Sequence, residues 1–385
     1  MDNLLLLTIV ALVFVVSFCL SFVIWCTRRW QISTIGLRDD LGAVQSAHSV
    51  PTPRLGGLAI VAALSIGSFL IPGEFGDATS LLLLCLVPLF AGGLWEDIGK
   101  GVSPRRRMAL AALSTLLAVA AFGVWVDRAG VPVADWALGF APVAIVFTIF
   151  AVVGVTNAVN LIDGLNGLSI SISILVAAAL GYVAAAHGVF ELAQASAFLI
   201  SALSGFLLIN YPFGKVFLGD AGAYSVGFIL ASLAVALMHF APDVSPAAVL
   251  LIFFWPVADT VLAIYRRRLR RRPSDKPDRM HFHQLIMRAL EIALVGRRRR
   301  ALANPLATAF IVPMAAAPML AGVVLSDSNA WAFAALFVFA VLFFATYNLG
   351  IRWARSRPNR SAPARGKQAP LLQRVSGDKT ARNNR

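Results

Sequence analysis

The hydropathy pattern of this chain is a succession of apolar runs near 20 residues long, about the length that crosses a bilayer as a helix, separated by polar segments. Eleven runs can be placed, near residues 4–26, 55–72, 80–95, 108–126, 138–156, 168–186, 192–210, 223–240, 247–265, 304–324 and 330–350, of which the third is the shortest. The pattern predicts an all-α, polytopic integral membrane protein of about 10–11 transmembrane helices. Residues 1–350 form one membrane domain in this reading. A basic tail, 351–385, is expected to be disordered. The first run follows Asp2 and precedes Arg28 and Arg29, the reverse of a positive segment ahead of a signal sequence. It reads as a retained anchor with its N-terminus outside.

Composition narrows the class further. With 59% hydrophobic and 14% charged residues, and a mean hydropathy of +0.78, neither an ordinary soluble domain nor a disordered chain fits. The net charge of +14 is mainly topological. With the C-terminus inside, segments 27–54, 96–107, 211–221, 266–303 and 351–385 hold 32 of the 33 Lys and Arg residues, leaving Arg128 outside. Cytoplasmic loops are expected to carry that excess. The runs at 266–272 and 297–300 also suit attraction to anionic membrane lipid. No groove-reading module is visible, so no nucleic-acid partner is expected. Cys19, Cys26 and Cys85 sit in or beside spans and suggest neither disulfides nor a metal spacing.

Candidate chemistry collects in the inward-facing loops. The segment 154–169, GVTNAVNLIDGLNGLS, sets Asp163, Asn157, Asn160 and Asn166 between two runs that can cross a bilayer. Polar groups there carry a desolvation cost and by default mark a polar cavity. Beside it lie PRLGG at 53–57 with Arg54, WEDIGK at 95–100 with Glu96, Asp97 and Lys100, and NYPFGKVFLGDAG at 210–222 with Asn210, Lys215 and Asp220. Asp259 near the inner end of the ninth run is followed by His281 and His283. For Asp259 a structural hydrogen bond to a neighbouring helix is as good an expectation as a part in the site. Carboxylates from several loops on one face, accompanied by Lys, Arg and His, suggest a hard divalent cation, Mg²⁺, and a phosphate-rich ligand.

In this order and spacing, PRLGG, the acidic pair with Lys100, NAVNLIDGLNGL (157–168), FLGDAG (217–222), PVADT (256–260) and HFHQ (281–284) resemble the polyprenyl-phosphate N-acetylhexosamine-1-phosphate transferases. This is the glycosyltransferase family 4 type, which includes phospho-GlcNAc and phospho-MurNAc-pentapeptide transferases. The resemblance runs from Arg54 to His283. It implies transfer of a sugar-1-phosphate from a UDP-N-acetylhexosamine to polyprenyl (undecaprenyl) phosphate, with release of UMP. It also implies Mg²⁺ as cofactor, with Mn²⁺ as a substitute, a multi-pass place in the bacterial plasma (inner) membrane, and an active site facing the cytoplasm. A homodimer is compatible with it.

By the same resemblance Asp220 and Asp163 would hold the metal, and Asp97 and Glu96 would serve with them in catalysis. Asp97 would orient or deprotonate the lipid phosphate. Arg54, Lys100, Asn157, Asn160, Asn166, Asn210, Lys215, His281 and His283 would bind substrate. Direct attack and a phospho-aspartate route both stay open. Three positions depart from the common pattern: Glu96 and Asn166, where many members have Asp, and Gln284, where a histidine is usual. The last two point away from a pentapeptide-carrying donor and towards the branch that starts O-antigen, capsule or teichoic-acid-like polymers. A transporter or flippase of a lipid-linked anion is the competing class. No internal repeat of the transporter kind is found, and the polar motifs share one face.

Overall fold

A computed structural model describes residues 3–35, 52–269, 281–296 and 300–356. Most of the tail, and parts of the basic runs at 266–272 and 297–300, lie outside the described residues. Among the described residues there are fifteen α-helices and no strand. They are α1 (Asn3–Cys26), α2 (Arg28–Ile35), α3 (Gly56–Leu70), α4 (Glu74–Asp97), α5 (Pro104–Phe122), α6 (Pro132–Leu138), α7 (Ala141–Leu161), α8 (Leu168–Ala186), α9 (Phe190–Asn210), α10 (Gly219–Phe240), α11 (Pro246–Ile252), α12 (Phe254–Leu269), α13 (Phe282–Leu290), α14 (Arg300–Val324) and α15 (Asn329–Ser356). A single π turn, Glu291–Val295, follows α13.

Each apolar run falls on a helix or a helix pair. Eight helices are long and apolar enough to cross a membrane, and a bent pair, α11 and α12, makes a ninth candidate with an 82° break. Two other runs form helices of a different kind. Helix α3 has only 15 residues, and α5 opens on Arg105, Arg106 and Arg107. The run at 80–95 extends to 24 residues in α4, because Glu74 and Asp77 suit the positive end of the helix dipole and carry it beyond the apolar stretch. Helix α15 continues to Ser356, past the expected start of the tail.

Local signals set the helix ends. Ser103 caps α5 by accepting from the Arg106 N–H, with Pro104 in the first turn, and Gly123 ends that helix in the left-handed region. Ser245 and Pro246 start α11 in the same way. Both follow the usual cap-then-proline preference.

Helix α10 is the hub. It packs against α3, α4, α7, α8 and α9, and 83% of its most apolar stretch is buried, against 22% for α1 and 17% for α15. The outer helices turn Leu84, Val87, Phe150 and Phe337 outward, an arrangement suited to lipid rather than water. Arg128, the basic residue assigned outside, closes the far end of α10. Its guanidinium donates to the carbonyls of Met238 (2.6 Å), Ala241 (3.1 Å) and Val244 (3.0 Å), the first of them in the last turn of α10, where carbonyls lack intrahelical partners.

Candidate active site

At the opposite end of α10 the glycine-rich motifs meet through the backbone. Gly56 N–H donates to Phe217 O (3.0 Å), Gly57 N–H to Leu218 O (2.8 Å) and Phe217 N–H to Pro53 O (2.8 Å). PRLGG is thus zipped to VFLG. Gly93 of α4 and Gly57 of α3 lie so close to the start of α10 that a Cβ on either would meet the backbone of residues 220–222. Gly219 has φ +76°, a conformation that L side chains rarely adopt.

This packing exposes the first N–H groups of α10, and Asp97 answers them from α4. Its Oδ1 accepts from Asp220 N–H (2.8 Å) and its Oδ2 from Ala221 N–H (2.9 Å). Leu218, at the cap position, offers no side-chain bond. Asp97, 1% exposed, therefore caps α10 from another helix. Hydrogen bonds of this kind contribute on the order of 1 kcal/mol each.

Asp220, in the first turn of α10, is held by two further helices. Arg107 Nη1 of α5 lies 3.1 Å from its Oδ2, and Asn160 Nδ2 of α7 donates to its Oδ1 at 3.0 Å. Asp163 follows α7 in the turn 162–167. Its carboxyl is pushed up to about 7, chiefly by desolvation, with Asp220 adding to the rise and Arg54 opposing it. Arg54 acts on Asp97 as well. Three carboxylates and two guanidinium groups, Asp97, Asp163, Asp220, Arg54 and Arg107, thus converge where α4 and α7 end and α5 and α10 begin.

Other expected site residues are placed differently. Asn157 and Asn160 belong to the last turns of α7 rather than to a loop, and Asn157 Nδ2 donates to Val153 O of its own helix (2.8 Å). Asn210 joins two turns, accepting from Gly167 N–H (2.6 Å) and donating to Val216 O (2.7 Å). Asn166 is tied to α14 and to the 212 turn, with its N–H on Asn304 Oδ1, its Nδ2 on Pro212 O, and its carbonyl accepting from Thr308. Glu96 accepts from Val102 N–H. Lys100 Nζ lies 4.1 Å from the Trp95 ring centre and Lys215 Nζ 4.4 Å from that of Trp25.

His281 and His283 form a second group with Asp259, their ligand-type atoms within 4.8 Å of one another. All three are buried. Asp259 Oδ1 accepts from Phe282 N–H (3.0 Å) and Oδ2 faces His283 Nδ1 (3.0 Å).

One member escaped the sequence: Arg107 was hidden in a tribasic run that topology already explained. Asp259, for which a structural bond and a part in the site were equal expectations, accepts from Phe282 N–H and faces His283.

Asp163 and Asp220 offer oxygen donors of the hard type that suits Mg²⁺. Lone pairs not used by Arg107 and Asn160 remain on Asp220, so these residues fit such an ion. The Asp259 group is already committed to hydrogen bonds with Phe282 and His283, and a metal there would have to displace them.

The model of glycosyl transferase family 4 matches residues 79–238, the stretch that carries Asp97, Arg107, Asn160, Asp163 and Asp220. The chain is similar to the undecaprenyl-phosphate alpha-N-acetylglucosaminyl 1-phosphate transferase of Yersinia pestis, with 29% identity across 90% of this chain and 92% of the relative. The protein of the same name from Escherichia coli K12 is 31% identical across 66% of this chain and 70% of the relative. A phospho-N-acetylmuramoyl-pentapeptide-transferase of Streptococcus pneumoniae CGSP14 is 30% identical over 54% of this chain and 66% of the relative. With that identity along most of the Escherichia coli protein, and the family model laid over the helices that hold the carboxylates, this chain belongs to glycosyl transferase family 4.

Proposed function

We propose that this protein transfers the sugar-1-phosphate of a UDP-N-acetylhexosamine to undecaprenyl phosphate at the cytoplasmic face of the bacterial plasma membrane, releasing UMP. What supports this is the meeting of Asp97, Asp163 and Asp220 with Arg54 and Arg107 at one end of the bundle. An oxygen of the lipid phosphate attacks the sugar-bearing phosphorus. The bond from that phosphorus to the bridging oxygen breaks, UMP leaves with the oxygen, and a pyrophosphate-linked lipid sugar remains. Such a reaction asks the protein mainly for positioning and charge neutralisation.

Arg54 and Arg107 compensate phosphate charge, and Asn160 keeps Asp220 aimed. Asp97 acts from beneath by fixing the start of α10. Asp163 and Asp220 would hold Mg²⁺, which when bound supplies neutralisation of the pyrophosphate. For the tail of the lipid, a groove of about 540 Å³ runs between α4 and α5, walled by Pro88, Ala91, Ala109 and Leu110 with Arg106 at its rim. It follows the helix whose last residue is Asp97, so tail and phosphate share one path.

GlcNAc is the favoured sugar. The Yersinia pestis relative, named for that sugar, aligns along 90% of the chain, against 54% for the pentapeptide transferase. HFHQ also lacks the consecutive histidines of the peptidoglycan pattern. The product would start a lipid-linked envelope polysaccharide such as an O-antigen.

The test is UMP release by purified protein in detergent with undecaprenyl phosphate, Mg²⁺ and a panel of UDP-GlcNAc, UDP-GalNAc and UDP-MurNAc-pentapeptide. UMP is expected with UDP-GlcNAc only when lipid and metal are both present. Folded protein that releases none with any donor would overturn the proposal and favour transport.

A further inference from the structure

We infer that Asp259 is a positioning residue for His283, holding its Nδ1 so that Nε2 is the nitrogen presented to a substrate phosphate. The inference rests on the transferase reading above and names a relay within its site. Asp259 belongs to α12, after the 82° break, and is fully buried. One of its oxygens takes the Phe282 N–H and the other faces His283 Nδ1, each at 3.0 Å. The motif is pinned from the side by Phe282, whose ring packs on Trp255 at 5.2 Å and on Phe343 at 4.7 Å between centroids. His281 stacks on the His283 ring at 5.5 Å with 23° between planes, so the imidazole is fixed by its carboxylate, its neighbour in sequence and its stacking partner.

The other nitrogen is the informative one. His283 is 1% exposed, and its Nε2 is buried with no protein partner. Buried polar atoms are nearly always partnered, and an exception calls for a reason. This nitrogen is directed at the turn that carries Asp163: a Cβ placed on Gly164 would sit 2.8 Å from it. Because Gly164 has no side chain, Nε2 can approach this turn closely without a methyl group covering it. A carboxylate that accepts from Nδ1–H selects the tautomer and stabilises the imidazolium, so Nε2 can meet an anionic oxygen. Asparagine cannot replace Asp259. It has a single acceptor oxygen and would turn its NH₂ towards either Phe282 N–H or His283 Nδ1–H.

The experiment is a double-mutant cycle on UMP release, using a donor that the wild-type protein turns over, with Asp259→Asn, His283→Gln and the pair. Each single change is expected to lower kcat about a hundredfold, the scale of a lost charge-stabilising donor, and the double variant to be no slower than His283→Gln alone within about twofold. Losses that multiply in the double variant, or an Asp259→Asn protein within about threefold of wild type, would overturn the inference. Should Asp259→Asn fail to fold, ¹⁵N-histidine NMR of the wild-type protein decides, with the His283 signal identified by its absence in His283→Gln. A proton resident on Nδ1 is expected, and one on Nε2 with Nδ1 bare would overturn the dyad. If wild-type protein releases no UMP with any donor, the reaction assignment fails by itself and the NMR arm still judges the Asp259–His283 pair.

Discussion

Arg107 Nη1 lies 3.1 Å from Asp220 Oδ2 across 113 residues of sequence, binding the start of α5 to the start of α10. The pair is part-buried, with side chains 23% and 20% exposed, and Arg107 occupies the carboxylate that would hold the metal. On the proposed function it would compete with a cation for Asp220 and would also neutralise phosphate once substrate arrives. The two effects have opposite signs in experiment. Arg107→Ala is expected to lower kcat by about a hundredfold, the scale of a lost charge-stabilising donor, while the half-saturating Mg²⁺ concentration falls. A Mg²⁺ titration of UMP release at saturating substrates checks both. An unchanged kcat would remove Arg107 from the site.

Asp97 and Asp220 should separate when each is changed to Asn. An asparagine in place of Asp97 has one acceptor oxygen for the two N–H groups that the carboxylate now serves, so Asp97→Asn should lose activity and about 2–3 kcal/mol of stability. Asp220→Asn should lose activity without a fall in melting temperature, because it removes a negative charge from a crowded group. Thermal melts of both variants in detergent, set beside UMP release, distinguish a cap from a ligand.

Asp163 gives a pH signature. Its carboxyl is raised from 3.8 to about 7 in the folded protein, so the folded state binds this proton more tightly than the unfolded state does. The slope of stability with pH is then negative. The Asp163 contribution is present in full below about pH 4 and is lost as pH rises to about 7. Mg²⁺ at pH 7.5 should restore it, and Asp163→Asn should flatten the pH dependence and blunt the response to metal. Metal-free melts from pH 5 to 8, with and without added Mg²⁺, measure this directly.

The groove between α4 and α5 predicts a selective defect. Ala91→Trp places an indole among Pro88, Trp95 and Leu110 and should raise the KM for undecaprenyl phosphate about tenfold, leaving the KM for the UDP-sugar within about twofold, since only the tail loses its surface. Equal changes in both constants would argue that the lipid runs elsewhere.

Much of this architecture was legible because it is written in local terms. Apolar length placed the helices, Asp220 and Asp163 stood out as carboxylates between membrane runs, and PRLGG and FLGDAG carried the site's glycines. What the sequence concealed depends on pairings over long separations. No local rule says that Asp97 will cap a helix 123 residues away, or that Arg107, within a run that orientation alone explained, will reach Asp220. Asn166 and Asn210 carry a substrate-binding role by resemblance alone, and no motif says that their amides will also join neighbouring turns, satisfying backbone groups that a buried turn leaves open. Lys215 is drawn to the face of Trp25, 190 positions earlier in the chain, a contact that no motif encodes.

The pairing of residues 53–57 with 217–219 also bears on how the protein is made. Three backbone bonds close a chain segment of more than 150 residues, so α3 must wait in the membrane through the synthesis of six further helices before the ribosome supplies its partner. An intermediate ending before Gly219 lacks Asp220 and the N–H groups that Asp97 caps, so the three-carboxylate group is completed only once α10 is made. Until then Gly57 and Gly93 lack the start of α10 that they pack against. During that interval quality-control proteases and insertases would meet a half-built bundle, and sequence changes at Gly56 or Gly57 would register as poor yield before they could register as poor turnover.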